Sequence, residues 1–258
     1  MTRFRRPALA AVCLSLLVSA CATSPTGRSQ MLLVSEAQMA AMGEEAFAQL
    51  KQEHAVSENQ SLTRYVNCVS TAILAGADAS QNWEVVLFDD AAINAFALPG
   101  GKIGVFTGLL NVAENQHQLA TVVGHEIAHV TARHSAARVS NQLATQMGVS
   151  VIAQTTGMDP GLINMGADLL LALPYSRADE TEADRLGLDY MAQAGFDPRA
   201  SVALWQNMER ASGGGPPQFL STHPAPQARI RELEQRMPAV IAMSDAAQAQ
   251  GRRPQCQP

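Results

Sequence analysis

Gly124-His125-Glu126-Ile127-Ala128-His129-Val130 decides the fold class of this 258-residue chain. The apolar stretch Leu119-Ala120-Thr121-Val122-Val123 precedes it, so the segment predicts a buried helix. On a helix, His125 and His129 stand four residues apart, about 400° of rotation, and both imidazoles leave one face. Two neutral imidazoles on one face are half of a tetrahedral zinc site. Glu126 follows the first His, where a carboxylate reaches a metal-activated water without ligating the metal, which suits a general base. Two His and a Glu buried without partners would be costly. Gly124 lies mid-helix, where Gly is about 1 kcal/mol worse than Ala; close packing against another backbone would account for it.

The third ligand must come from elsewhere in the chain. A metzincin would place Gly at position 132 and His at 135; Ala132 and Ser135 exclude that class. His134 is nearly perpendicular or opposite to the ligand face and reads as a structural or surface His. Downstream, Ser176-Arg177-Ala178-Asp179-Glu180-Thr181-Glu182-Ala183-Asp184 is a dense acidic cluster opening a helical pattern. Glu180 and Asp184 are one turn apart and share a face. Glu180 is assigned as the third ligand. Asp184 is then either an acceptor that orients a ligating His or a proton donor near the scissile bond. The competing reading is a solvated helix N-terminus, favoured by the macrodipole.

His125-Glu126-x-x-His129 with Ser176-Arg177-x-x-Glu180-x-x-Ala183-Asp184 resembles the zinc metallopeptidase family of the CAAX prenyl proteases and HtpX. The likeness covers roughly residues 26–236. Thr26-Gly27-Arg28-Ser29-Gln30 and Leu33-Val34-Ser35-Glu36-Ala37-Gln38 are similar to the start of the family's bacterial lipoprotein branch. Asn94-Ala95-Phe96-Ala97-Leu98-Pro99-Gly100-Gly101 resembles its substrate-side strand and turn. Thr222-His223-Pro224-x-Pro226 with Arg229 resembles its C-terminal H-P-x-x-x-x-R element. Tetratricopeptide repeats are not evident, so the chain resembles the short, protease-only members. The resemblance implies a zinc endopeptidase, with one Zn²⁺ per chain held by His125, His129 and Glu180. It further implies that His223 occupies the open metal position at rest or donates to the oxyanion, and that Arg229 contacts the oxyanion or a nearby carboxylate.

Composition agrees with one domain. Hydrophobic residues are 47% and charged residues 16%, a globular balance with few aromatics. The expected architecture is α+β, a mainly helical zincin-like domain over 33–238 with a small β-sheet beside the active-site helix. Residues 1–20 read as a lipoprotein signal peptide. Arg3, Arg5 and Arg6 form its basic region, and Ala8 to Val18 its apolar region, which is too short to span a bilayer. Val18-Ser19-Ala20-Cys21 matches a lipobox, with Cys21 the acylated residue and 21–32 a lipidated linker. Ala22 after Cys21, rather than Asp, resembles lipoproteins of the outer membrane. Loss of residues 1–20 leaves 15 basic against 23 acidic side chains, a net charge of −8, which argues against nucleic acid. The expected location is the periplasmic side of the outer membrane, through an N-terminal lipid anchor. Expected partners are unfolded or misfolded envelope proteins and the outer-membrane assembly machinery. Cys68 and Cys256 then sit in an oxidising compartment and can pair.

A coarse pass predicts helices over 35–56, 59–77, about 115–140, the 180s, 198–211 and 224–238, and a weakly ordered tail over 239–258. Trp83 to Phe88 reads as a strand. Asn94 to Ala97 and Lys102 to Val105 bracket Pro99-Gly100-Gly101 as a hairpin or bent strand pair, whose exposed edge could hold an extended peptide at Asn94, Ala95, Phe96 and Ala97. Residues 143–174 read as two core helices or a lid with a hinge at 157–161. The rival to a peptidase is a chaperone-like assembly factor with latent activity, in which a base at Glu126 would be superfluous.

Overall fold

The computed structural model describes residues 21–77, 79, 81–156, 170, 174–211, 217–223 and 227–258. The expected signal peptide and the hinge at 157–161 lie outside these residues. The fold is α+β, mainly helical, as the sequence pattern predicts.

A short antiparallel pair comes first, β1 (Cys21–Thr23) and β2 (Ser29–Met31), turned by Gly27 at φ 91°. Helix α1 (Glu36–Glu53) starts at a capping box in which Ser35 and Gln38 satisfy each other's backbone N–H. Helix α2 (Gln60–Gly76) is capped by Asn59. Strands β3 (Glu84–Phe88), β4 (Ala95–Leu98) and β5 (Lys102–Phe106) form a sheet in the order β3-β5-β4. The expected hairpin is β4–β5, antiparallel, and β3 joins β5 in parallel on the other side. Gly100 and Gly101 make the hairpin turn at φ 83° and 76°, a region glycine enters without steric cost.

Strand alternation divides the core into two layers. Leu87, Ala95, Ala97, Ile103 and Val105 face the larger cluster with Val66, Val69 and Ile73 of α2. Phe88, Phe96, Leu98 and Phe106 face the other way, against Phe47 of α1. Those four phenylalanines meet mostly edge to face, with ring centroids about 6 Å apart.

After the short α3 (Thr107–Leu110), α4 (Gln116–Thr131) carries the H-E-x-x-H stretch and is buried from Gln118 to His129. The single helix expected over 115–140 is in fact two. Arg133 takes φ 58°, closes α4 with a left-handed cap, and α5 (His134–Thr156) starts in a new direction. Neither Gly nor Pro marks this break, which is why the residue pattern conceals it.

Helix α6 (Arg177–Gln193) crosses α4 at a pair of glycines. A Cβ on Gly124 would lie 2.8 Å from the Gly187 carbonyl oxygen, and one on Gly187 2.7 Å from the His125 nitrogen. This is the close backbone approach that Gly124 foretold. It brings the face of His125 and His129 against that of Glu180 and Asp184. Gly124→Ala should therefore destabilise the protein by about 1–3 kcal/mol through overpacking, and weaken metal uptake by parting the helices. Denaturant unfolding and metal titration check this; a neutral or stabilising substitution would contradict the crossing.

Helices α7 (Ala200–Arg210), α8 (Gln218–Thr222) and α9 (Gln227–Ala249) complete the fold. The expected weak tail from 239 is a correction, since α9 continues through Pro238 to Ala249. The ordering has a clear cause. Ser244, Gln248 and Arg252 donate to the carbonyls of Phe196, Gly195 and Gln193, at and just beyond the end of α6. Beyond the helix, Cys256 is joined to Cys68 of α2 across 188 residues, and its N–H donates to Gln116 at the head of α4.

Candidate metal centre

Four buried side chains from three elements converge. His125 and His129 come from α4, Glu180 from the first turn of α6, and His223 from the end of α8. Their donor atoms all lie within 4.8 Å of one another. His125 Nε2 and His129 Nε2 are 3.0 Å apart, His223 Nδ1 is 3.2 Å from His125 Nε2, and Glu180 Oε1 is 3.0 Å from His223 Nδ1. Glu180 also stands 3.4 Å from His129 Nε2 and 3.5 Å from His125 Nε2.

Asp184, one turn beyond Glu180, meets the far nitrogen of His125, Oδ1 to Nδ1, at 3.1 Å. Arg229 of α9 lies between the two carboxylates. Its Nε and Nη2 donate to Asp184, the latter at 2.7 Å, and Nη1 stands 3.0 Å from Glu180 Oε2. The guanidinium covers the ring of Trp205 at 4.0 Å. Burial would raise the Asp184 pKa, but Arg229 and His125 outweigh it and hold the carboxyl below its usual range. Burial likewise opposes ionisation of Glu180, and hydrogen bonds from the three histidines outweigh it. For His125, burial and Arg229 act downward, and Asp184 and Glu180 overcome them to raise it to about 9. A bound divalent ion would displace the proton so held. Three imidazole nitrogens and a carboxylate oxygen, converging this closely, suit a tetrahedral transition-metal ion.

Glu126 lies beside the cluster. Its Oε2 accepts the Ala97 N–H at 3.2 Å, while Oε1 is buried, 3.4 Å from His223 Nε2, and makes no hydrogen bond. Burial is the main cause of its raised pKa. The Ala97 N–H therefore leaves the sheet on the outer side of β4, towards the Glu126 carboxylate. Asn94, Ala95, Phe96 and Ala97 line a cavity of about 230 Å³ with Glu126, Tyr175 and His223.

Several participants escaped the sequence analysis. Tyr175 stacks on His129 with centroids 3.9 Å apart and shares a hydrogen bond with Ser135 Oγ. Phe219 stacks on His223 at 4.6 Å. His134 is wholly buried, 2.9 Å from His129 Nδ1, because the break at Arg133 turns it inward. Glu182 was one acid among several in the sequence, and it partners His134 at 3.2 Å. His117, two turns before His125, accepts the Asp197 N–H through Nδ1, a structural contact. His54 pairs with Asp90 at 2.9 Å, away from the cluster.

The chain belongs to peptidase family M48, a family of metallopeptidases, whose sequence pattern matches residues 57–237. Among curated proteins it is similar to the mitochondrial metalloendopeptidase OMA1 of Schizosaccharomyces pombe, 37% identical over 203 residues, covering 76% of this chain and 60% of the relative. It is similar to the metalloendopeptidase OMA1, mitochondrial, of Homo sapiens, 32% identical over 245 residues, covering 85% and 46%. It is also similar to the beta-barrel assembly-enhancing protease of Escherichia coli, 28% identical over 221 residues, covering 79% and 45%. The chain spans about half the length of the curated relatives it matches.

Proposed function

We propose that this chain is a zinc endopeptidase of the bacterial periplasm, of the lipoprotein branch, that cuts unfolded or misassembled envelope proteins. The observation that carries this is the buried His125–His129–Glu180 donor set with Glu126 at its side and the outward Ala97 N–H of β4 beyond. When bound, zinc supplies a Lewis acid that polarises the scissile carbonyl and brings the pKa of water to about 7. Glu126 takes the proton from the attacking water and returns it to the leaving amine. Asp184, kept ionised by Arg229, orients His125 as an acceptor rather than giving up a proton. Arg229 serves the two carboxylates, not the oxyanion. An extended substrate adds to the outer edge of β4, which demands an unfolded chain. His223 would help His125, His129 and Glu180 hold the metal at rest, and its imidazole would have to move aside for substrate.

Lipidation at Cys21 would tether the enzyme to the outer membrane. Among the described residues no helix is long and apolar enough to cross a membrane. The similarity to the beta-barrel assembly-enhancing protease of Escherichia coli supports a link to outer-membrane protein assembly. The basic leader and lipobox favour the bacterial envelope over the mitochondrial setting of the OMA1 relatives. A second reading, an assembly factor with latent protease activity, is favoured by one observation, the closeness of His223 to the other donors.

One protein offered in folded and denatured form tests the proposal. The denatured form should be cleaved and the folded form spared; equal rates would contradict strand addition. His223→Ala should raise basal cleavage of the denatured form. Lowered cleavage would give His223 the oxyanion role instead.

A further inference from the structure

Both metal-helix imidazoles need a partner on the nitrogen that faces away from the metal, but they obtain it differently. His125 has a carboxylate, Asp184, in direct contact. His129 Nδ1 meets another imidazole, His134 Nδ1, at 2.9 Å, and only His134 Nε2 reaches a carboxylate, Glu182 Oε2, at 3.2 Å. Hydrogen-bond direction along this chain is forced. For Nε2 of His129 to offer its lone pair to a metal, its Nδ1 must carry the proton and donate it to His134. His134 Nδ1 must then be bare, its proton sits on Nε2, and Glu182 accepts. The ionised carboxylate thus sets the tautomer of His129 at one remove.

Glu182 is in turn held from outside the two helices. Its Oε1 accepts from the Ser24 and Thr26 hydroxyls at 2.5 Å each and from the Thr26 N–H at 3.3 Å. Arg28 Nη1 stands 3.0 Å from Glu182 Oε2, and Nη2 donates to Asp179 at 2.7 Å. The same segment continues across the joint between α4 and α5. Gln30 donates to the Ala132 carbonyl at 3.1 Å, and the Leu33 N–H to Ser140 Oγ at 2.8 Å. Glu182 and His134 are both almost wholly buried, at 2% and 0% exposure. A buried carboxylate with four donors and a cation converging on it is a built arrangement, not a solvated helix end.

We infer that His134 and Glu182 are positioning residues for the metal ligand His129, and that the segment Ser24–Arg28 completes the metal centre by holding Glu182. The inference rests on the metallopeptidase reading above. It gives the residues just after Cys21 a second purpose: with Cys21 lipidated as proposed above, a segment tied to a membrane at one end would be tied to the metal ligand at the other.

The test uses the full chain, stripped of metal and titrated with Zn²⁺ against a chromophoric chelator, with the absorption bands of the Co²⁺-loaded form as a second readout. Glu182→Gln and His134→Gln should each weaken Zn²⁺ binding about 10–100-fold and shift the Co²⁺ bands. The double variant should be no worse than the weaker single one, because both act through one path. Ser24→Ala with Thr26→Val should move both readouts in the same direction by a smaller factor. Circular dichroism checks folding, and this last pair, lying outside both metal helices, decides the matter if a helix variant fails to fold. Wild-type Zn²⁺ affinity and unshifted Co²⁺ bands in all variants, with only the thermal midpoint lowered, would reduce these residues to bracing and overturn the inference alone. A wild-type chain that takes up no metal would overturn the metallopeptidase reading and this inference with it.

Discussion

Glu126→Gln is expected to lower peptide hydrolysis by about 10²- to 10⁴-fold, the usual contribution of a positioned general base, while the metal stays bound. The substitution keeps the shape of the side chain and removes only its basicity. Glu126 is not among the converging donors; its Oε2 is occupied by the Ala97 N–H and its Oε1 makes no hydrogen bond. Measuring turnover and metal content on the same preparation separates the two effects. Loss of metal together with activity would make Glu126 a ligand, and retained activity would remove it from the mechanism. The acid limb of the pH profile follows from the same residue. Burial raises the pKa of Glu126, and a base works only when ionised. Activity should fall as the pH drops through the pKa of Glu126, and Glu126→Gln should abolish that limb.

Arg229→Met should destabilise the metal-free chain by roughly 3–5 kcal/mol, the cost of stranding buried charges. Arg229 is 4% exposed and stands against Asp184 and Glu180, both buried. Met retains an apolar stem to cover Trp205, so the loss reports charge more than packing. Zinc should restore part of the stability, because its charge falls on Glu180 but not on Asp184. Guanidinium unfolding of the metal-free and zinc-loaded forms gives both numbers. A loss below about 1 kcal/mol, the size of an exposed ion pair, would mean that water reaches the carboxylates.

Local spacing and chemistry carried much of the site into the sequence. His125 and His129 share a helix face, Glu180 and Asp184 share another, and Gly124 announces that two backbones must touch. Each is a property of a few residues on one element. The hairpin around Pro99-Gly100-Gly101 is legible for the same reason. What escaped depends on geometry between elements. His134 looks misdirected on a continuous helix and becomes a partner of His129 only because Arg133 adopts a left-handed conformation that its residue type does not signal. The C-terminal stretch looks loose by composition, yet the carbonyls at the end of α6 and the Cys68–Cys256 link secure it. Glu182 is one acid among four until the segment around Ser24 folds onto it.

The most direct test of the account is the dependence of cleavage on zinc. A denatured protein is offered to the chain as purified, after chelation, and after one equivalent of Zn²⁺ is returned, with metal content measured at each stage. The account predicts one zinc per chain, loss of cleavage on chelation, and recovery on reconstitution. Cleavage that persists in fully metal-free protein would contradict it.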